Sequence, residues 1–111
     1  MNGTVLCRAD EIGPGEAKGF VLGSGTARRE LMVVRGRSGL HAYENCCPHQ
    51  GTPLNILEDD FFAEDGLHLV CRTHGALFLP HDGTCVAGPC QGKSLRRLAI
   101  DIVDGMIVLA A

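Results

Sequence analysis

The chain has 111 residues, 45% of them hydrophobic, and a formal net charge of −3 at pH 7. This length predicts one globular domain that buries a core without disulfide support. With only 10 lysine and arginine residues and no tryptophan, the chain lacks the basic surface of a nucleic-acid-binding protein. No run approaches the roughly 18 apolar residues that span a membrane, and the N-terminus has no signal-peptide pattern. We therefore expect a cytoplasmic protein that contacts neither nucleic acid nor membrane.

The periodic segments are short, and 15 glycines and 5 prolines predict many tight turns between them. In chain order, strands are predicted at 31–35 and 40–43 around a turn at 36–39, then at 67–70. Asp-Gly pairs favour hairpin turns, so 77–79 pairs with 85–87, and 99–103 with 106–109. Only 58–64 is expected to form a helical turn. The pattern indicates an all-β fold in which polar loops, one at 45–55 and one beginning at residue 71, separate the strands.

A paired motif lies in these two loops. Cys47-Pro48-His49 and Cys71-Arg72-Thr73-His74 each offer one thiolate and one imidazole. Two cysteines and two histidines suit a [2Fe–2S] cluster with the cysteines on one iron and the histidines on the other. Cys47, His49, Cys71 and His74 are therefore the candidate metal ligands. A glycine follows each histidine closely and would let the backbone turn tightly there.

The motif and its surroundings resemble the Rieske family. Segments 47–54 and 71–78 are similar to the two cluster loops of that family, 82–89 to its proline loop, and 95–109 to its last strands. The resemblance covers roughly 31–109. It implies a Rieske-like fold over 1–111, with an antiparallel β base domain and a smaller, loop-built cluster-binding subdomain at about 45–90. The stretch between His49 and Cys71 is a few residues longer than the family usually has, and the excess is expected at 58–66. Its acidic part, 58–65, is interpreted as a solvated loop, with electrostatic steering of a basic partner as the alternative.

The function implied by the resemblance is one-electron transfer. We expect a soluble, monomeric Rieske-type ferredoxin, itself not an enzyme, that carries electrons from a reductase to a terminal oxygenase or similar enzyme. A catalytic oxygenase is not expected, because such members of the family carry a further domain with a mononuclear iron site. Two alternatives stay open: a module stabilised by a structural Cys2His2 zinc site, and a redox subunit bound to a larger oxidoreductase. Zinc fingers usually take both cysteines from one knuckle, whereas here cysteine and histidine alternate.

The other cysteines are interpreted as packing residues. Residues i and i+2 of an extended segment point the same way, so the spacing selects Cys47 as the ligand and turns Cys46 away into the core. Cys85 and Cys90 are expected to be free thiols near the site, a disulfide being the alternative. The same interpretation makes Cys7 a small buried hydrophobe and leaves three histidines as surface or strand residues: His41, His68 and His81.

Two further expectations follow from the resemblance. High-potential members of the family carry a serine and a tyrosine where this chain has Ala76 and Phe78, and a disulfide where it has Thr52 and Thr73. Without those hydroxyl donors, the reduction potential is expected at the low end of the Rieske range, which runs from roughly −150 to +300 mV. Electrons are expected to leave through the histidine edge, beside Gln50 and Ala76.

Overall fold

Short antiparallel strands make up nearly all of the regular structure, which confirms the all-β prediction. The structure, a computed structural model, describes residues 3–49 and 51–110. Two 3₁₀ helices, Ala9–Glu11 and Gly25–Ala27, accompany the strands. In chain order the strands are β1 (Thr4–Arg8), β2 (Ala17–Leu22), β3 (Arg29–Gly36), β4 (Gly39–Glu44), β5 (Leu69–Val70), β6 (Leu77–Phe78), β7 (Cys85–Ala87), β8 (Arg97–Leu98), β9 (Ile100–Val103) and β10 (Met106–Leu109).

Within the described residues, the strands form three sheets. Strands β2, β3, β4 and β8 lie side by side in a central four-stranded sheet, and β1, β10 and β9 form a second sheet. The third sheet is the meander β5-β6-β7, whose strands follow the first loop of the paired motif and flank the second. All neighbouring strands are antiparallel. The β1-β10-β9 sheet therefore comes from the two ends of the chain. The β5-β6-β7 sheet comes from its middle, which also carries the paired motif.

Strand β3 is buried on both faces, which explains its continuous apolar run. Leu31 and Val33 belong to one core cluster, which also holds Ile107 of β10. Met32 and Val34 belong to the other core cluster, which holds the motif loops. Because successive side chains of a strand point to opposite faces, one strand supplies both cores. The central sheet is thus covered by the β1-β10-β9 sheet on one face and by the motif region on the other.

The predicted hairpins are present, with shorter strands in the third sheet. Strands β3 and β4 pair through Gly36 and Gly39, and β9 and β10 pair through Val103 and Met106. Strand β6 ends at Phe78 instead of including the next residue, and β5 covers only Leu69–Val70. The sequence patterns did not predict β2, whose apolar residues are partly buried or, at Val21, exposed.

The predicted helical turn at 58–64 is wrong. Asp59 has a positive φ of 61°, a conformation that an α-helix does not contain. The chain then runs extended, because Phe62 forms a bridge with Leu69 and the Val70 N–H donates to the Phe61 carbonyl at 2.9 Å. Residues 61–62 therefore lie beside the third sheet. Within 3–49 and 51–110, no helix has the length and apolarity to cross a membrane.

Candidate metal centre

The first motif loop follows β4 and is closed by hydrogen bonds at both ends. The Cys47 N–H donates to the Thr52 carbonyl at 2.8 Å, and the Gly51 N–H donates to the Cys47 carbonyl at 2.7 Å. Gly51 has a φ of 76°, which glycine adopts without strain. Buried Asn45 fixes the base of the loop, since its Oδ1 accepts a 2.7 Å hydrogen bond from the Leu54 N–H. Hydrogen bonds at both the N–H and the carbonyl of Cys47 therefore hold its backbone in place.

The second motif loop, between β5 and β6, repeats this arrangement. The Cys71 N–H donates to the Ala76 carbonyl at 2.9 Å, and the Gly75 N–H donates to the Cys71 carbonyl at 2.8 Å. Gly75 has a φ of 75°, as the tight turn requires. The Arg72 N–H donates to the Leu54 carbonyl at 2.8 Å and so connects the two loops. The same backbone geometry thus presents one cysteine from each loop.

Burial separates the two kinds of candidate ligand. The Cys47 and Cys71 side chains are 1% and 0% exposed, whereas His49 is partly exposed and His74 is exposed. The two imidazole rings meet edge to face, with centroids 4.9 Å apart and planes at 86°. The structure therefore brings the two histidines together at the surface and keeps both cysteines in the core.

Two buried polar atoms in the first loop test whether a metal group fits here. Among the described residues, His49 Nδ1 and Thr52 Oγ1 are buried without a hydrogen-bond partner. Leaving such atoms unsatisfied costs about 1–3 kcal/mol each, so native proteins rarely do so. A metal ion would satisfy the imidazole nitrogen, and a sulfide-containing cofactor would offer the hydroxyl an acceptor. The residues present fit an iron–sulfur group.

The arrangement of donors also bears on the zinc alternative. Within the part of the chain that the structure describes, no three His, Cys, Asp or Glu side chains converge on one metal position. A structural zinc needs four ligands around one ion. Each iron of a Rieske cluster takes only two protein ligands, with the sulfides completing its coordination. A Rieske cluster therefore does not require three protein side chains at one metal position.

The acidic segment 58–66 is attached to its surroundings instead of standing free in solvent. The Arg72 guanidinium donates to both carboxylate oxygens of Asp60, at 3.1 and 2.9 Å, and to the Phe62 carbonyl at 3.0 Å. Asp59 Oδ1 accepts a 2.8 Å hydrogen bond from the Gly19 N–H of β2. Since Arg72 lies inside the second motif, this segment braces that loop. The expectation of a merely solvated segment was wrong for these two carboxylates.

Other residues lie elsewhere than expected. Ala76 is 0% exposed and so cannot be part of a docking surface, while Gln50 lies outside the described residues. Cys46 points away from the core as an exposed thiol instead of packing inside it. Cys85 and Cys90 are buried free thiols, as expected.

Sequence reasoning missed the supports of the site. Asn45 and the Arg72–Asp60 pair gave no local signal, because their partners are 9 and 12 residues away. Tyr43 was also missed: its hydroxyl donates to the Pro80 carbonyl at 2.6 Å, and burial raises its pKa to about 12. A buried tyrosine usually satisfies its hydroxyl with a hydrogen bond of this kind. The one tyrosine of the chain was therefore the sequence signal that could have predicted such a contact.

Comparison with known proteins identifies the family and the fold. The profile of the Rieske [2Fe–2S] domain matches residues 2–104. The chain therefore belongs to the Rieske [2Fe–2S] domain family, and its cofactor is a Rieske-type cluster. It is 32% identical over 69 residues to the ferredoxin component of an alkene monooxygenase system from Xanthobacter autotrophicus, a match that spans 62% of this chain and 50% of that relative.

Solved structures show the same fold. The ferredoxin of carbazole 1,9a-dioxygenase from Nocardioides aromaticivorans superposes with a TM-score of 0.67 and 24% identity, over 96% of this chain and 97% of that one. A chain from a complex of reduced oxygenase and oxidised ferredoxin of carbazole 1,9a-dioxygenase gives a TM-score of 0.73 and 23% identity, over 98% and 94%. At these identities the likeness establishes the fold.

Proposed function

We propose that Cys47, His49, Cys71 and His74 bind the Rieske-type [2Fe–2S] cluster, in a subdomain at about 45–90 inserted into the β base domain of 1–111. The carrying observation is the matched pair of loops, which bury a thiol each and bring the two imidazoles to within 4.9 Å of each other at the surface. When bound, the cluster supplies reversible one-electron chemistry.

The protein residues have distinct tasks in this proposal. The two buried thiolates neutralise charge on the side facing the core, where water is excluded. The two histidines connect the site to the surface, because His74 is exposed and His49 partly so. Thr52 supplies a buried hydroxyl donor, and the hydrogen-bonded loop backbones keep the ligands fixed during oxidation and reduction. A rigid site changes little on electron transfer, which suits a carrier.

The proposed role is that of a soluble, monomeric ferredoxin in the cytoplasm, which receives electrons from a reductase and delivers them to a terminal oxygenase. Two relatives support this role by their own functions: one is the ferredoxin component of an alkene monooxygenase system, the other the ferredoxin of a carbazole dioxygenase. The exposed imidazole edge is the shortest route from the site to a docked partner. Chemistry on an organic substrate belongs to the oxygenase in this scheme.

A reductive titration tests the proposal. The anaerobic holoprotein should take up one electron per chain from dithionite and then show a Rieske electron-paramagnetic-resonance (EPR) signal. With NADH and a flavoprotein reductase from a Rieske oxygenase system, it should also carry electrons to cytochrome c at a rate that depends on its concentration. A colourless protein that contains zinc, or one that takes up no electron, would overturn the proposal.

A further inference from the structure

A second pair of cysteines lies in the core cluster that also holds Cys47 and Cys71. Cys85 begins β7 and Cys90 lies in the loop after it, and their side chains are 2% and 1% exposed. The Cys90 thiol donates to Cys85 Sγ with a sulfur–sulfur distance of 3.1 Å, and the Cys85 thiol donates to the Ala87 carbonyl at 3.2 Å. Two thiols this close need to approach by only about 1 Å to reach the disulfide bond length of about 2.05 Å.

The backbone holds the two cysteines in this arrangement. The Cys85 N–H donates to the Lys93 carbonyl at 2.8 Å, and the Lys93 N–H donates to the Cys90 carbonyl at 2.9 Å. Lys93 therefore connects the backbones of the two cysteines. The backbone therefore brings the two cysteines side by side.

The pair also contacts the cluster site. The Cys90 thiol is a neighbour of Cys47 as well as of Cys85, and all three residues belong to one core cluster. A donor to a cluster ligand stabilises the reduced, more negative state and so raises the reduction potential. Cys90 has one S–H, which points to Cys85 Sγ in this structure. Provided that Cys47 is the thiolate ligand proposed above, rotation about the Cys90 Cβ–Sγ bond turns this S–H to the more negative sulfur.

We propose that Cys85 and Cys90 form a second redox site, a dithiol–disulfide couple whose oxidation lowers the reduction potential of the neighbouring cluster. Oxidation breaks two S–H bonds and forms one S–S bond. A small-molecule disulfide accepts the two electrons and both protons and is thereby reduced to its thiol form. The disulfide has no S–H group, so Cys47 loses a donor. In a reducing cytoplasm the dithiol is the resting form, and the couple responds to oxidative conditions.

The first test measures the covalent change in the holoprotein. The anaerobic protein is equilibrated in dithiothreitol buffers of graded potential, quenched with acid, alkylated and analysed by mass spectrometry. We expect the peptide that contains Cys85 and Cys90 to lose two hydrogens and to resist alkylation in the oxidising buffers. Cys85→Ser should never form this product. Cys7→Ser removes a buried cysteine of the other core cluster and should behave as the native chain.

The second test measures the cluster potential by protein-film voltammetry. Formation of the disulfide should make reduction roughly tenfold less favourable, a shift of about −59 mV for one electron. Cys90→Ala in reducing buffer should shift the potential in the same direction, and Cys7→Ser should not shift it. No 85–90 linkage in the most oxidising buffer, or a linkage that leaves the potential unchanged, would overturn the inference. Absence of a Rieske signal in the untreated protein would instead overturn the proposed function, and the mass measurement would still decide whether the couple exists.

Discussion

The Arg72–Asp60 pair is expected to hold the second motif loop closed around the cluster. The two side chains are 29% and 33% exposed and share a bidentate contact. Exposed pairs contribute about 0–1 kcal/mol, and breaking a fully buried pair costs about 3–5 kcal/mol. For this partly buried, bidentate geometry we expect a coupling free energy of about 1.5 kcal/mol. Since about 1.4 kcal/mol is tenfold in rate, loss of the pair should speed cluster release about tenfold.

The measurement is a double-mutant cycle on the rate of cluster loss, followed by visible absorbance of the holoprotein at raised temperature. Arg72→Ala and Asp60→Ala should each release the cluster faster, and the double variant should be little worse than either, which isolates the coupling. Arg8 and Asp10, 2.6 Å apart but mostly exposed, form a matched control pair whose removal should not change the rate. Additive effects of the Arg72 and Asp60 changes would refute the expectation that their contact holds the second motif loop closed.

Three further predictions concern the potential, the core and the tyrosine. The native potential near neutral pH should lie below 0 mV, and Ala76→Ser should raise it in protein-film voltammetry; no rise would show that a hydroxyl there does not control the potential. Phe61→Ala, at a fully buried site, should lower the unfolding free energy by about 3–5 kcal/mol, whereas Leu57→Ala, at an exposed one, should change it by less than about 0.5 kcal/mol; equal effects in denaturant titrations would contradict this core. Because the chain has one tyrosine, its ultraviolet pH titration should show Tyr43 ionising near pH 12, and ionisation near pH 10 in the intact protein would contradict its burial.

Local patterns were sufficient for the parts of the fold that depend on neighbouring residues. The hairpin around Asp104-Gly105 needs only two turn residues and alternating flanks, and it was predicted nearly to the residue. The two motif loops were also visible, because each combines its cysteine, histidine and glycine within five residues or fewer. Strand β2 was not visible, since none of its residues is fully buried, Val21 is exposed, and Lys18 and Gly19 interrupt its apolar run.

The features that depend on long-range contacts could not be predicted from local sequence patterns. Segment 58–66 was predicted as a solvated loop because its composition is acidic, but the partners of Asp59 and Asp60 lie 40 and 12 residues away. Cys46 and Ala76 were misplaced for a related reason: exposure depends on how the loops pack on the central sheet. The sulfur contact between Cys85 and Cys90 could be suspected from their spacing, but the Lys93 backbone bonds that bring the two cysteines side by side gave no signal in the sequence.

The central claim, that Cys47 and its three partners bind the cluster, is tested most directly by EPR of two neighbouring variants. Cys46→Ser changes an exposed thiol next to the buried one and should keep the Rieske signal of the native holoprotein at full intensity per chain. Cys47→Ser should lose the cluster and therefore the signal, with iron content falling in parallel. A native Rieske signal in Cys47→Ser, or its loss in Cys46→Ser alone, would contradict the ligand assignment.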